Sequence, residues 1–161
     1  MAQDANIRSI ERKYMAHFLN VNFNHGTPSW YRLGSDLEEF NVEMNAEIEI
    51  EKNILEEEFV LHNGYALSAD ADSFYATKDD QLFEKLQDII DTLDTDCETQ
   101  MLEVHMWQAA GDGLYAVSQA CYVVPVSYGG DTSGYQIPFN VILYGDRVDG
   151  VYKNGVFTQS E

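Results

Sequence analysis

A mainly β fold (α+β), a β-sandwich or rolled antiparallel sheet with one packed α-helix, is predicted by three features of this 161-residue sequence. The stretch Glu38–Lys52, EEFNVEMNAEIEIEK, alternates apolar and polar residues over at least a dozen positions, the period of a strand with one face turned to a core. A single segment, TKDDQLFEKLQDIIDTL, places its apolar residues at helical spacing. Much of the remainder breaks into short apolar runs between Gly, Pro, Asn and Asp, and Asn154-Gly155 is a strong local hairpin signal.

In chain order, residues 1–12 form a polar N-terminal arm of a single domain spanning 1–161. KYMAHFLNVNF (13–23) reads as a strand whose apolar phase slips near Phe18, the mark of a bulge. Gly26 and Pro28 then turn the chain, and Trp30, Tyr31 and Leu33 begin a short strand. In the alternating stretch Phe40, Val42, Met44, Ala46, Ile48 and Ile50 share one face. A slip of one residue would bury every glutamate, so the pattern outweighs the poor strand propensity of Glu and Ala.

Residues 52–73 are expected to form a long inter-strand loop, with room for a short strand at Phe59–Leu61; loops of that length usually carry function or a contact. The helix follows, capped by Thr77, with Asp79 and Asp80 in its first turn, where the dipole favours acid. Its stripe of Leu82, Phe83, Leu86, Ile89, Ile90 and Leu93 must lie on something. MLEVHMWQA (101–109), LYAVSQACYVVPVSY (114–128) and YQIPFNVILYG (135–145) are strands, GGDTSG (129–134) a loop, and VYKNGVF (151–157) a hairpin. About seven or eight strands result.

Composition narrows the function. Nine basic against 28 acidic residues give a net charge of −19. That charge argues against adhesion to nucleic acid or to an anionic membrane, both of which need a basic footprint. No run approaches the roughly 18 apolar residues of a membrane span. Met1–Lys13 lacks the apolar core of a secretion signal, so the chain is expected to fold in a cytoplasm. Cys97 and Cys121 are too far apart for CxxC chemistry and read as reduced thiols.

Motifs for chemistry are absent. His17, His25, His62 and His105 are scattered, without HxxxH or HExxH spacing. Asp94, Asp96 and Glu98 have calcium-like spacing but lack the glycine and terminal glutamate of an EF-hand loop. SYGGDTSGY lacks the lysine and following helix of a phosphate cradle, and no GxSxG elbow occurs. The expectation is a non-enzyme without cofactor or metal, although a pair of carboxylates brought together only in space would escape notice.

The distinctive feature is therefore the acidic row Glu39, Asn41, Glu43, Asn45, Glu47, Glu49 and Glu51. Lys52 is the only Lys or Arg between Gly34 and Ala76. Like charges on one strand face repel and cost stability, and ordinary surfaces mix both signs. Such a row suits either repulsion of an anion or pairing with a basic partner.

Four ordered blocks, about residues 12–152, carry a resemblance to a known family. They are RKYMAHFLNV, LEEFNVEMNAEIEIEKNIL, GYALSADADSFYATKDDQLFEKLQDIID and VSYGGDTSGYQIPFNVILYGDRVDG. Together they resemble the major tail tube proteins of long-tailed bacteriophages, whose fold is shared with inner-tube proteins of contractile injection systems. The resemblance implies six copies per ring, inner sheets joined into a β-barrel around a channel, helices outside, and rings stacked into a virion tube assembled in the host cytoplasm.

It further implies tail-tip or baseplate initiator, tape measure and tail terminator proteins as partners, with DNA passing through the lumen unbound. The acidic row would then face that lumen; six copies at −19 each carry −114 per ring. Ring-to-ring contact is assigned to Ile54, Leu55, Glu56, Glu57, Glu58 and Phe59, with Arg8, Arg12 and Lys13 as basic partners. The family pattern often has Gly after NIL; with Glu56–Glu58 there instead, a positive-φ turn after Leu55 is not expected.

Overall fold

The computed structural model describes residues 9–23, 27–35, 37, 39–72 and 74–160. A 3-10 turn at Arg12–Tyr14 leads into β1 (Met15–Asn20), and β2 (Trp30–Arg32) returns beside it. Next come β3 (Asn41–Glu43), β4 (Ala46–Lys52), β5 (Glu58–Tyr65) and β6 (Ser68–Ala71), then the helix α1 (Gln81–Thr92). The long strands β7 (Glu98–Ala110), β8 (Gly113–Pro125) and β11 (Phe139–Lys153) follow, with β9 (Gly129–Asp131) and β10 (Gly134–Gln136) between the last two and β12 (Val156–Gln159) at the end. The main antiparallel sheet runs β2-β1-β7-β8-β11-β6-β3, with β12 also on β11; β9–β10 and β4–β5 are separate two-stranded ribbons.

The sheet buries different halves of its two faces. On one face Leu19, Met101, Cys121, Val123, Phe139, Val141 and Leu143 meet Leu82, Leu86 and Ile89 of α1. The helical stripe covers this face, as its spacing predicts. On the other face, towards the far end of β1, β7 and β8, Ala16, Phe18, Leu102, Val104 and Ala116 form a second cluster, over which Trp30 of β2 and Phe157 of β12 close. Curling of the sheet brings those two edges together.

Two apolar clusters on opposite faces explain the phase slip in β1. The strand pairs with β7 in unbroken register from Met15↔His105 to Leu19↔Met101, so no bulge lies at Phe18. Phe18 and Leu19 are both buried because both faces of β1 are covered there.

Helix capping also differs from expectation. Asp80, not Thr77, is the N-cap, accepting from the backbone N–H of Leu82 at 2.9 Å and Phe83 at 3.3 Å. The Tyr31 hydroxyl donates to the other Asp80 oxygen at 2.6 Å, tying β2 to the start of the helix. The glycine-rich GGDTSG is not a plain loop; it holds most of the β9–β10 ribbon. The hairpin at Asn154-Gly155 is present, with φ of 52° and 80°.

The largest departures concern residues 38–73. The alternating stretch is not one strand. It breaks at Asn45, whose φ is 48°, so that β3 joins the main sheet through β6 while β4 leaves it. Nor are residues 52–73 a loop: β5 pairs with β4, and β6 with β3 and β11. Alternation reports that a segment is extended but not which strand it pairs with.

Candidate assembly surfaces

The β4–β5 ribbon is an arm. Its strands pair only with each other, and every residue in them except Gly64 is exposed. At its base Asn45 Nδ2 donates to the Ala66 carbonyl at 2.9 Å and to Ser68 Oγ at 3.1 Å. At its tip Asn53 Oδ1 accepts from the backbone of Leu55 at 2.9 Å and of Glu57 at 3.1 Å. Glu56 has φ of 63°, so the turn after Leu55 does adopt positive φ, contrary to expectation. Three-residue hairpin loops commonly place a left-handed residue third, and glycine fits that position best.

Register decides what each face of the arm presents. Ile50 lies opposite Val60 and Ile48 opposite His62, whereas Glu49 faces Leu61 and Glu51 faces Phe59. The carboxylate row of β4 therefore shares its face with Phe59 and Leu61. The apolar row covers no core, with Ile50 68% and Val60 63% exposed. Ile54 at the tip is 98% exposed and Leu55 74%. A two-stranded ribbon with apolar side chains on both faces is marginal alone in water, and apolar patches of this kind mark contact surfaces.

The second surface is the half of the main sheet facing away from α1. Asn41 and Glu43 of β3 lie here, opposite Asp70 and Ser68 of β6. Beside them come Asn140, Ile142 and Tyr144 of β11, Tyr122 and Val124 of β8, and Glu98 of β7. Tyr122 and Tyr144 stack at 5.5 Å, and the Tyr144 hydroxyl donates to Glu98. Lys and Arg are absent from these strand segments. The exposed Ile142, Tyr144, Tyr122 and Val124 leave the face partly apolar.

The seven acidic-row positions accordingly separate. Asn41 and Glu43 sit on the free sheet face, with Glu39 just before them accepting from Asn41 Nδ2 at 2.7 Å. Asn45 is the hinge at the arm's base, and Glu47, Glu49 and Glu51 ride on the arm. Sequence reasoning missed Asp70, Glu98, Tyr122 and Tyr144, because the face they share with β3 is set by pairing between strands 27 or more positions away in sequence. The alternating runs in β8 and β11 were the available signal.

The third surface is basic. Arg12 and Lys13 line a cleft with Arg32. Arg12 donates to the Phe40 carbonyl at 2.8 Å and stands 3.4 Å from His17 Nδ1. Arg8 lies outside the described residues. Outside this cleft, Arg147 pairs with Glu103 at 2.8 Å. Burial, and then the Arg12 charge, lowers the His17 pKa to about 4. His17 approaches Glu103 at 4.0 Å, but Arg147 already answers that carboxylate, so His17 is neutral at pH 7.

Chemistry of other kinds has few candidates. Among the described residues no group of three or more His, Cys, Asp or Glu is placed to hold a metal. Both cysteines are buried and free, and burial raises the Cys121 thiol to about 12, which leaves it unreactive. No helix among the described residues is long and apolar enough to cross a membrane. Comparison with protein-family models and with curated proteins finds no match.

Proposed function

We propose that this chain is a structural subunit that assembles with copies of itself into a hollow tube, as its resemblance to phage major tail tube proteins implies. The observation that carries the reading is the charge on the free sheet face: Glu43, Asp70 and Glu98 are its only charges among the residues placed there, and all are negative. A wall of that kind repels phosphates at close range, since screening at physiological salt reaches only about 8–10 Å. In this reading Asn41, Glu43, Asp70 and Glu98 line the lumen, α1 lies outside, and the short edge strands β2 and β3 are joints between subunits. The arm carries contact between copies, and Glu47, Glu49 and Glu51 belong to it rather than to the wall. An inner tube of a contractile machine has the same geometry without DNA passage.

The stacked Tyr122–Tyr144 pair among carboxylates favours one other reading, a monomeric module that binds a cationic partner. Negative-stain electron microscopy over a range of concentration and salt separates the two. Hollow six-fold rings or tubes are expected; a monodisperse monomer throughout, also with tail-tip proteins added, turns the assignment towards the binding module.

A further inference from the structure

The arm tip and the basic cleft are complementary, and the chain does not join them itself. The cleft, of about 610 Å³, is rimmed by Arg12, Lys13 and Arg32 and floored by Met15, Leu33 and Phe40; Glu39 also lines it. Three of the chain's nine basic residues thus surround one apolar floor. Lys13 pairs with the exposed Glu11 at 3.2 Å, and Arg32 donates to the Lys13 carbonyl at 2.7 Å, leaving most of its guanidinium for a further acceptor. The tip offers the converse: Ile54, almost wholly exposed, and Leu55, largely so, followed by Glu56, Glu57 and Glu58. Its hydrogen bonds stay within the tip. Among the described residues Glu56 and Glu57 have no ion pair, while Glu58 lies 3.8 Å from Lys52.

We propose that the cleft of one copy receives the β4–β5 arm tip of a second copy, with Ile54 and Leu55 on the apolar floor and Glu56 and Glu57 against Lys13 and Arg32. The inference rests on the chain being a self-assembling subunit and names the contact. Tip and cleft are different patches of one chain, so the contact is head-to-tail. Such contacts close into rings or run on as open assemblies, whereas a self-complementary patch stops at a dimer. The apolar pair supplies the burial, and the charges select the partner and the orientation.

A charge-swap series tests the contact by sedimentation velocity of the full chain, with circular dichroism confirming the fold of each variant. Arg12 is left alone because its hydrogen bonds hold Phe40. Glu56→Lys with Glu57→Lys, and separately Lys13→Glu with Arg32→Glu, are each expected to weaken self-association about tenfold or more, since several attractive pairs become repulsive. Combining all four changes restores most of it. A photo-crosslinker at position 55 is expected to couple to residues 12–15 or 32–40 of a second copy.

Assembly that neither reversal weakens, losses that the combination does not restore, or adducts mapping elsewhere overturn the docking and leave the tube reading standing. A wild-type chain that stays monomeric at every concentration, with initiator proteins present, removes both.

Discussion

The helix-backed half of the main sheet and the β4–β5 arm are built from similar β patterns, yet one is finished and the other is not. Val141 and Val123 alternate inward beneath α1 and are fully buried. Ile48 and Ile50 alternate just as regularly and stay in water. Local sequence makes both segments extended. Only the first has a covering layer within its own chain; the second has none, and the docking proposed above would supply one. Exposed apolar area of this kind is what a contact surface presents.

Truncation should expose that contrast most sharply. Phe139 is fully buried and packs edge-to-face on Phe74 at 5.6 Å. Phe139→Ala is expected to cost about 3–5 kcal/mol of unfolding free energy, through lost burial and the cavity left behind. Ile54→Ala removes a side chain that touches almost nothing in its own chain, and should stay within about 0.5 kcal/mol. Urea denaturation of the two variants measures both. Equal losses would mean that the arm folds back onto the body.

His17 offers a smaller test, confined to the body. Its folded-state pKa of about 4 lies below the ordinary 6.5 of the unfolded chain. The unfolded state therefore takes up the proton first as pH falls. Stability from this group is whole above pH 6.5 and declines from there towards pH 4, by about 3 kcal/mol in all. His17→Gln should flatten the stability profile between pH 6.5 and 5, measured by urea denaturation across that range. A wild-type profile already flat in that window would contradict the burial.

The smallest effect expected lies at the arm tip. Glu56 holds a left-handed conformation that costs a residue with a β-carbon about 1 kcal/mol relative to glycine. Glu56→Gly is expected to slow amide exchange in β4 and β5 a few-fold while leaving exchange in β8 and β11 unaltered. Faster exchange throughout the arm would show that the tip charge, not the backbone, sets the turn.

Legibility from sequence followed the range of the interactions involved. The helix, the Asn154-Gly155 hairpin, the extended character of residues 40–52 and the mainly β class rest on periodicity and turn chemistry within a few residues, so they could be read directly. The N-cap moved from Thr77 to Asp80 because both can cap and the Tyr31 hydroxyl, 49 positions away, favours the second. The turn at Glu56 was missed because its sequence carries no glycine; Asn53 holds it instead. The split of the acidic row into sheet and arm was invisible, since β3 and β4 share one alternation.

By itself the sequence determined the charge, the helix with its buried stripe, the Asn154-Gly155 hairpin and the extended character of the alternating runs, because those follow from residue type and local spacing. Tertiary structure alone decided that β4 pairs with β5 and leaves the sheet, that Asp70 and Glu98 join Glu43 on one free face, and that Arg12, Lys13 and Arg32 rim one cleft. Each depends on strand pairing between distant segments, and pairing is set by the whole sheet's burial, which no single stretch of sequence contains.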